Sequence, residues 1–528
     1  MGGQRGQMFN IIAKPEYSKI LVGHSHKQAV SALERVSLWT LNNSLITSIS
    51  ALQGAGKTHL LYHLRFLSQQ HLPPTQWVEI IAANEQLDTL GERGQIDAPL
   101  IISKLLRDSD DGFVHMLRAH GFDDPLPPAN SEVDLRSGWI MDAIRFMKTK
   151  NQKPFGLMIA IDGVDEYVRN VGEAKLIENI VKKMLINVRL ILDLLDHTCI
   201  VLAVTESVLR QMDLIIEKDP TFNRRYVPLL NFDGTDLDIG KLTLDETFEL
   251  CLAYRNCWIS EQSNNGHLYV NDKEEDWPFE SVAIELAWKA SKDKTPRSIL
   301  EFFQEAENIL SESTYKNTIT IHQMAKAIDK RAKEINIDVK KETRGILKLL
   351  LKQTLYKDSL QTKDVIGAVK AFMPNNIQLT NKKNRSKSAL RLDAKETTLS
   401  RGTESSPFFI SALYHVVNPK KDKEDVYSLL RPTNSGRTSM GLVVPCVEYN
   451  EDIRMTFSQW YGETRYIHAG NHIYILLLNE QQKAYIKAFA NDTENKALRW
   501  IVDHTCGPSG ENFSTMVEAI VERALRGD

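Results

Sequence analysis

Cysteine is scarce and unpatterned in this chain. Cys199, Cys251, Cys257, Cys446 and Cys506 are odd in number, widely spaced and without a C-x-x-C pair. That excludes a disulfide framework and a cysteine-based zinc site as organising devices, and the five are read as buried thiols. Excess charge of either sign is also missing: 65 Lys and Arg stand against 68 Asp and Glu, a formal net charge of −3. A general nucleic-acid coat protein, which needs a strongly basic chain, is thereby excluded. Long apolar runs are absent too. No stretch approaches the roughly 18–20 residues of a membrane-spanning helix, and the opening MGGQRGQMFNIIAKPEY lacks the apolar segment of a secretory signal. Gly6 stands where myristoylation wants Ser or Thr. A soluble, cytoplasmic protein without membrane contact is therefore expected.

What is present is ordinary globular composition, 42% hydrophobic over 528 residues, sufficient for three or four domains at roughly 100–200 residues each. Residues 27–41 carry apolar positions at helical spacing. The β-branched run LITSISAL (45–52) predicts a strand that enters Gly54-Ala55-Gly56-Lys57-Thr58 and then the helical run HLLYHLRFLSQQH. WVEIIA (77–82), FGLMIAI (155–161) and CIVLAV (199–204) predict three more strands, with helices over 100–119, 132–148 and 171–196 between them. Strands alternating with helices predict an α/β fold, a parallel sheet covered on both faces that binds ligands at the carboxyl ends of its strands.

The chemistry is concentrated in Ala51-Leu52-Gln53-Gly54-Ala55-Gly56-Lys57-Thr58. This string matches the phosphate-binding loop G-x-x-x-x-G-K-[ST], with Ala51 in place of the first glycine. Backbone N–H groups can wrap phosphates only where the turn is free of bulky side chains, and Gly54 and Gly56 supply that freedom. Lys57 would neutralise the β and γ phosphates, Thr58 would ligand Mg²⁺, and the helix start, with His59 next to the loop, would face the anion. A plain glycine turn between strand and helix is the bland reading of the same string. A second acidic site supports the sharper one. Asp162, ending FGLMIAI, is placed to hold Mg²⁺, and Glu166, or Asp165, to polarise the attacking water.

GAGKT followed by an apolar strand and Asp162-Gly163-Val164-Asp165-Glu166 resembles the signal-transduction ATPases of the STAND class, NACHT-like modules in particular, within the wider AAA+ group of P-loop ATPases. The resemblance spans about residues 20–330. It implies ATP with Mg²⁺ as ligands, and ATP over GTP only because these classes use it. It further implies that Thr205, after the fourth strand, occupies the sensor-1 place, that Arg297 in Thr295-Pro296-Arg297 is a lid arginine reaching the phosphates, and that Arg224 or Arg225 is an arginine finger completing a neighbouring subunit's site. A strand-end Thr, a solvated first-turn Arg and a surface-paired Arg-Arg are the plain alternatives.

The expected organisation is an ATPase core over 1–240, a helical lid over 241–335, a helical extension over 336–380, a basic polar linker over 381–406 and an α+β module over 407–528. Within 381–401 stand seven basic residues, Lys382, Lys383, Arg385, Lys387, Arg391, Lys395 and Arg401, against Asp393 and Glu396. That segment could hold nucleic-acid phosphates but has no aromatic residue for base stacking. In the last module FFISALYHVV, GLVVPCVEY, HIYILLL and AYIKAFA read as strands and STMVEAIVERAL as a helix. Glu480, Lys483, His468, His472 and His504 there show no metal-ligand spacing. The functional expectation is an ATP-driven conformational switch of a prokaryotic defence or signalling kind, homo-oligomeric, licensing a protein effector through 407–528. Its alternatives are a nucleic-acid-bound AAA+ regulator of the origin-recognition or transposition type and an ATP-binding scaffold with little turnover.

Overall fold

The structure is a computed structural model. It describes residues 19–39, 43–70, 76–82, 98–107, 109, 112–152, 154–164, 174–230, 239–264, 279–311, 318–334, 339–352, 360–381, 392–413, 440–445, 472–508 and 511–526. The chain divides into two compact units, Met1–Ile337 and Asp338–Asp528.

In the first unit α1 (His24–Trp39) precedes β1 (Leu45–Ser50), α2 (Lys57–Gln70) and β2 (Gln76–Ala82). Helices α3 (Ala98–Leu105), α4 (Phe113–Ala119) and α5 (Val133–Asn151) lead to β3 (Gly156–Asp162), followed by α6 (Ala174–Leu194), β4 (Thr198–Val204), α7 (Glu206–Lys218) and the single turn α8 (Pro220–Asn223). The four strands form a sheet in the order β1-β4-β3-β2, and every pair is parallel. Because side chains alternate across a strand, β4 feeds two cores: Ile200, Leu202 and Val204 pack with residues of α3 to α7, while Cys199, Val201 and Ala203 pack with α1 and α2. Both faces are covered, which is why β3 and β4 read as near-continuous apolar runs.

The rest of this unit is helical: α9 (Leu244–Asn264), α10 (Ser281–Ala290), α11 (Pro296–Ser311) and α12 (Ile321–Glu334). Helices α11 and α12 carry their apolar residues on one stripe, with Ile299, Phe302, Phe303 and Ala306 facing Met324, Ala325 and Ile328 in the buried set. Phe279 and Phe303 stack with ring centroids 4.7 Å apart.

The second unit holds α13 (Lys341–Leu350), α14 (Thr362–Phe372), β5 (Gln378–Asn381), β6 (Leu392–Arg401), β7 (Glu404–Leu413), β8 (Met440–Pro445), β9 (His472–Ile475), α15 (Glu480–Asn491), α16 (Lys496–Thr505) and α17 (Phe513–Arg526). Its sheet runs β5-β6-β7-β8-β9, antiparallel through β7 and parallel from β7 to β9. Phe372 of α14 sits 5.3 Å by ring centroid from both Phe489 and Phe513 and so ties three helices together.

Four expectations are corrected here. The helix read over 100–119 is two helices, α3 and α4, because Gly112 stands at the start of the second in extended backbone. The basic linker over 381–406 is in large part sheet: β6 pairs with β7 from Leu392↔Leu413 to Arg401↔Glu404. Thr397 and Leu399 of β6 are fully buried, so a strand with few large apolar residues still owns one apolar face; residues 382–391 lie outside the described set. The helical extension over 336–380 belongs to the same compact unit as the module after it. Finally, AYIKAFA is helix α15. Asn479 accepts from Gln482 N while the Gln482 side chain accepts from Asn479 N, a reciprocal cap that the β-rich composition of the segment concealed.

That cap is testable. Asn479→Ala is expected to destabilise the second unit by about 1 kcal/mol, read as a lower urea midpoint with an unchanged slope; a midpoint equal to that of the parent chain would show that α15 is held by packing alone.

Candidate functional site

The site is built where β1, β4 and β3 end. Parallel register aligns their carboxyl ends, Ser50 opposite Val204 and Ile161 opposite Leu202, and Ala51 N–H donates to the Val204 carbonyl at 3.3 Å. The loop 51–56 then turns into α2. Gly54 and Gly56 both take left-handed backbone, with φ of +80° and +94°, conformations that a side chain resists. Ala51, where the motif wants glycine, is accommodated: it lies buried in a parallel bridge with Ile239.

Two of the expected metal ligands meet. Thr58, in the first turn of α2, donates its hydroxyl to Asp162 Oδ2 at 2.6 Å across a sequence separation of 104 residues. Asp162 reaches this point because it ends β3, two strands from β1 with β4 between them. A hydroxyl and a carboxylate oxygen at one point form the hard, oxygen-only donor set that suits Mg²⁺. Among the described residues no group of three or more His, Cys, Asp or Glu could hold a metal by itself, so an ion here would complete its coordination with water or with oxygens of a ligand.

Lys57 is buried, and its ammonium donates to the Ala51 carbonyl at 2.9 Å and the Leu52 carbonyl at 3.4 Å. The charge is thus carried inside the turn. His59 turns its Nε2 to the Ile20 carbonyl at 2.5 Å. Arg297 is joined to the loop through its backbone, its N–H donating to the Gly54 carbonyl at 3.2 Å, and a Cβ on Gly54 would come within 2.9 Å of Arg297 Cβ. Its guanidinium, with the side chain 53% exposed, makes a 3.3 Å contact with Glu301. Glu301 is itself largely buried, its side chain 11% exposed, and its other oxygen lies 4.0 Å from Arg331.

Thr205 stands at the N-cap position of α7, its hydroxyl 3.1 Å from Ser207 Oγ, at the end of the strand that separates β1 from β3. Arg225 is held outside β1: Ile46 N–H donates to the Arg225 carbonyl and its guanidinium pairs with Asp193 at 2.7 Å. Arg224, at the end of α8, is exposed. Asp165 and Glu166 lie outside the described residues. Of the basic run, Lys382, Lys383, Arg385, Lys387 and Arg391 also lie outside them, and Arg401 is paired with Glu522.

Sequence reasoning missed His26. Its Nε2 lies 2.7 Å from the Ala55 carbonyl, and since a carbonyl only accepts, that nitrogen carries the hydrogen. Burial holds His26 below the usual histidine range, as it does His59. Glu246 of α9 accepts from His24 N at 2.6 Å and Thr243 N at 2.7 Å; burial acts to raise its pKa, but these bonds prevail and lower it. The only hint in the sequence was Gly23 just ahead of a helix, with φ of +96°.

Gly54→Ala is expected to displace α11 from the loop and to lower phosphate-ligand affinity about tenfold, given the left-handed backbone and the 2.9 Å contact; unchanged affinity would show that Arg297 is not seated on Gly54. A pH effect also follows. Between the lowered native values of His26 and His59 and about 6.5, the unfolded chain binds protons that the native chain refuses, so stability rises with pH through that window. The full chain is expected to melt at a lower temperature at about pH 5.5 than at about pH 7.5, and His26→Gln to flatten the dependence; parallel pH profiles would remove His26 as a contributor.

No protein-family profile and no curated protein matches the chain. Among solved structures it is similar to the ORC2 protein of Aeropyrum pernix in ADPNP–ADP complexes, with a TM-score of 0.39, 11% identity, and 70% of this chain and 79% of that chain covered. It is similar also to Cdc6p from Pyrobaculum aerophilum, with a TM-score of 0.33, 11% identity and coverage of 68% and 78%, and to a Thermotoga maritima RuvB variant, with a TM-score of 0.28, 13% identity and coverage of 66% and 81%. Likeness of this extent assigns no function.

Proposed function

We propose that this chain is an ATP-binding and ATP-hydrolysing conformational switch of the AAA+ kind, with ATP and Mg²⁺ at the loop 51–58. The observation that carries the reading is the 2.6 Å hydrogen bond between Thr58 and Asp162 at the mouth of a loop with two left-handed glycines. Thr58 and Asp162 would hold Mg²⁺, which when bound screens phosphate charge and orients the γ-phosphoryl group.

The chain's own groups do the rest. Gly54, Ala55 and Gly56 present backbone to the phosphates, and Lys57 moves from the Ala51 and Leu52 carbonyls to the phosphate oxygens. Arg297 leaves Glu301 for the same anion, which draws α11 and the helices packed on it over the site. Glu166, or Asp165, polarises the attacking water, with Thr205 beside it. Hydrolysis removes the γ-phosphate and with it the contact that favours the closed lid, so the bound nucleotide biases a two-state arrangement.

The biological reading is a STAND-like, NACHT-like ATPase of prokaryotic defence or signalling. Copies assemble, Arg224 or Arg225 completes a neighbour's site, and the module 407–528 meets a protein effector. Support for this part comes from the sequence Asp162-Gly163-Val164-Asp165-Glu166 and from the exposure of Arg224. Arg225 would have to leave Asp193 to serve.

The test is light scattering on the full chain with and without ATP·Mg²⁺, joined to nucleotide titration. Lys57→Ala is expected to weaken ATP binding about 10- to 100-fold, from the loss of one charge-assisted contact, and to abolish assembly. Asp162→Asn should depress Mg²⁺-dependent turnover about a hundredfold, and Glu166→Gln should hold ATP unhydrolysed in the assembled form. A particle size that never changes while ATP still binds would remove the assembly step; equal ATP affinity in Lys57→Ala and the parent chain would remove the nucleotide site.

A further inference from the structure

The imidazole of His26 is 4% exposed, yet its Nδ1 has no hydrogen-bond partner. The ring is enclosed between two left-handed glycines: a Cβ on Gly23 would stand 3.0 Å from Nδ1, and a Cβ on Gly56 would stand 3.1 Å from Nε2. A buried nitrogen without a partner is costly, and an apolar side chain of similar volume would avoid that cost. What the ring contributes in return is one donor, the Nε2–H directed at the Ala55 carbonyl at 2.7 Å.

That carbonyl belongs to the peptide joining Ala55 to Gly56. A trans peptide is planar, with its C=O and N–H on opposite sides. Tying the Ala55 carbonyl to α1 therefore turns the Gly56 N–H away from α1. The adjoining peptide groups are already committed, the Gly54 carbonyl to Arg297 N and the Gly56 carbonyl to Leu60 N within the start of α2. The Gly56 N–H is thus a donor whose direction is set at the junction of turn and helix, where anions bind.

We propose that His26 is a positioning residue of the phosphate loop, its imidazole fixing the Ala55–Gly56 peptide from outside the motif so that the Gly56 N–H is held toward a bound phosphate. The inference rests on the nucleotide reading of the loop and adds to it a residue 29 positions upstream of Ala55. The neutral, Nε2-protonated ring agrees with the lowered pKa that burial produces. Glu246 is the charged group facing the ring; because it also accepts from His24 N, it keeps the start of α1, and hence His26, in register with α9.

The experiment compares the full-length parent chain with His26→Leu, which keeps bulk and removes the donor, and His26→Gln, whose amide can still reach Ala55. Each is titrated with a fluorescent ATP analogue, and hydrogen exchange is followed in the peptide covering residues 52–60. His26→Leu is expected to bind about tenfold more weakly and to exchange faster in that peptide, while His26→Gln recovers most of both. If His26→Leu does not fold, His26→Asn, too short to reach the carbonyl, takes its place. Parent-like affinity and exchange in the donor-less variant would overturn the proposal, as would a loss that His26→Gln fails to recover. Faster exchange in a chain whose parent binds no nucleotide would leave the contact standing and overturn the nucleotide reading together with the phosphate role assigned to it.

Discussion

The candidate site of the first unit is organised around one contact, the hydroxyl of Thr58 donating to the carboxylate of Asp162. Their strands are not neighbours: β4 lies between β1 and β3, so the two chain segments are about 9–10 Å apart at the sheet. Only the crossing of α2 over the top of β4 brings a short hydroxyl within reach of a short carboxylate. The parallel register, the left-handed turn at Gly54 and Gly56 and the apolar faces of β4 all serve that crossing. Shift β3 by one residue and Asp162 points to the other face.

Around this contact the loop is held by its carbonyls. Lys57 takes those of Ala51 and Leu52, Arg297 N–H takes that of Gly54, and His26 takes that of Ala55. The donors come from three places, the loop and the start of α2, α11 and α1, so the shape of the loop registers the position of each. This is the reverse of the simple picture in which a glycine-rich loop is merely flexible. Glycine permits the conformation, and the surrounding donors select it. Two of the loop's amides are committed as well, the Ala51 N–H to the Val204 carbonyl and the Ala55 N–H to the Leu52 carbonyl at 3.2 Å.

The second unit shows where sequence patterns mislead. Its fourth strand-like run became helix α15 because a reciprocal cap at Asn479 and Gln482 and the packing of Phe489 on Phe372 outweigh the aromatic residues Tyr485 and Phe489 and the single β-branched Ile486 of the segment. Its supposed linker became β6 because Thr397 and Leu399 lie on a face covered by the rest of the sheet's core, while charged residues occupy the same strand. A hairpin strand with one buried face can look polar overall.

The chain's local pattern determined the alternation of strands and helices, the glycine loop between β1 and α2, and the carboxylate closing β3, because these depend on spacing over a few residues: period two in a strand, glycine where φ is positive, apolar stripes on helices. It set Thr58 and Asp162 at one metal site through their two motifs, but the direct hydrogen bond between them, across 104 residues, depends on strand order. It could not reveal His26, which belongs to no motif and acts only because α1 packs beside the loop. Asp165 and Glu166 were legible as letters and lie outside the described residues. Partners across long separations are settled by the order in which strands assemble and by which buried groups need one another, and only the tertiary structure holds that information.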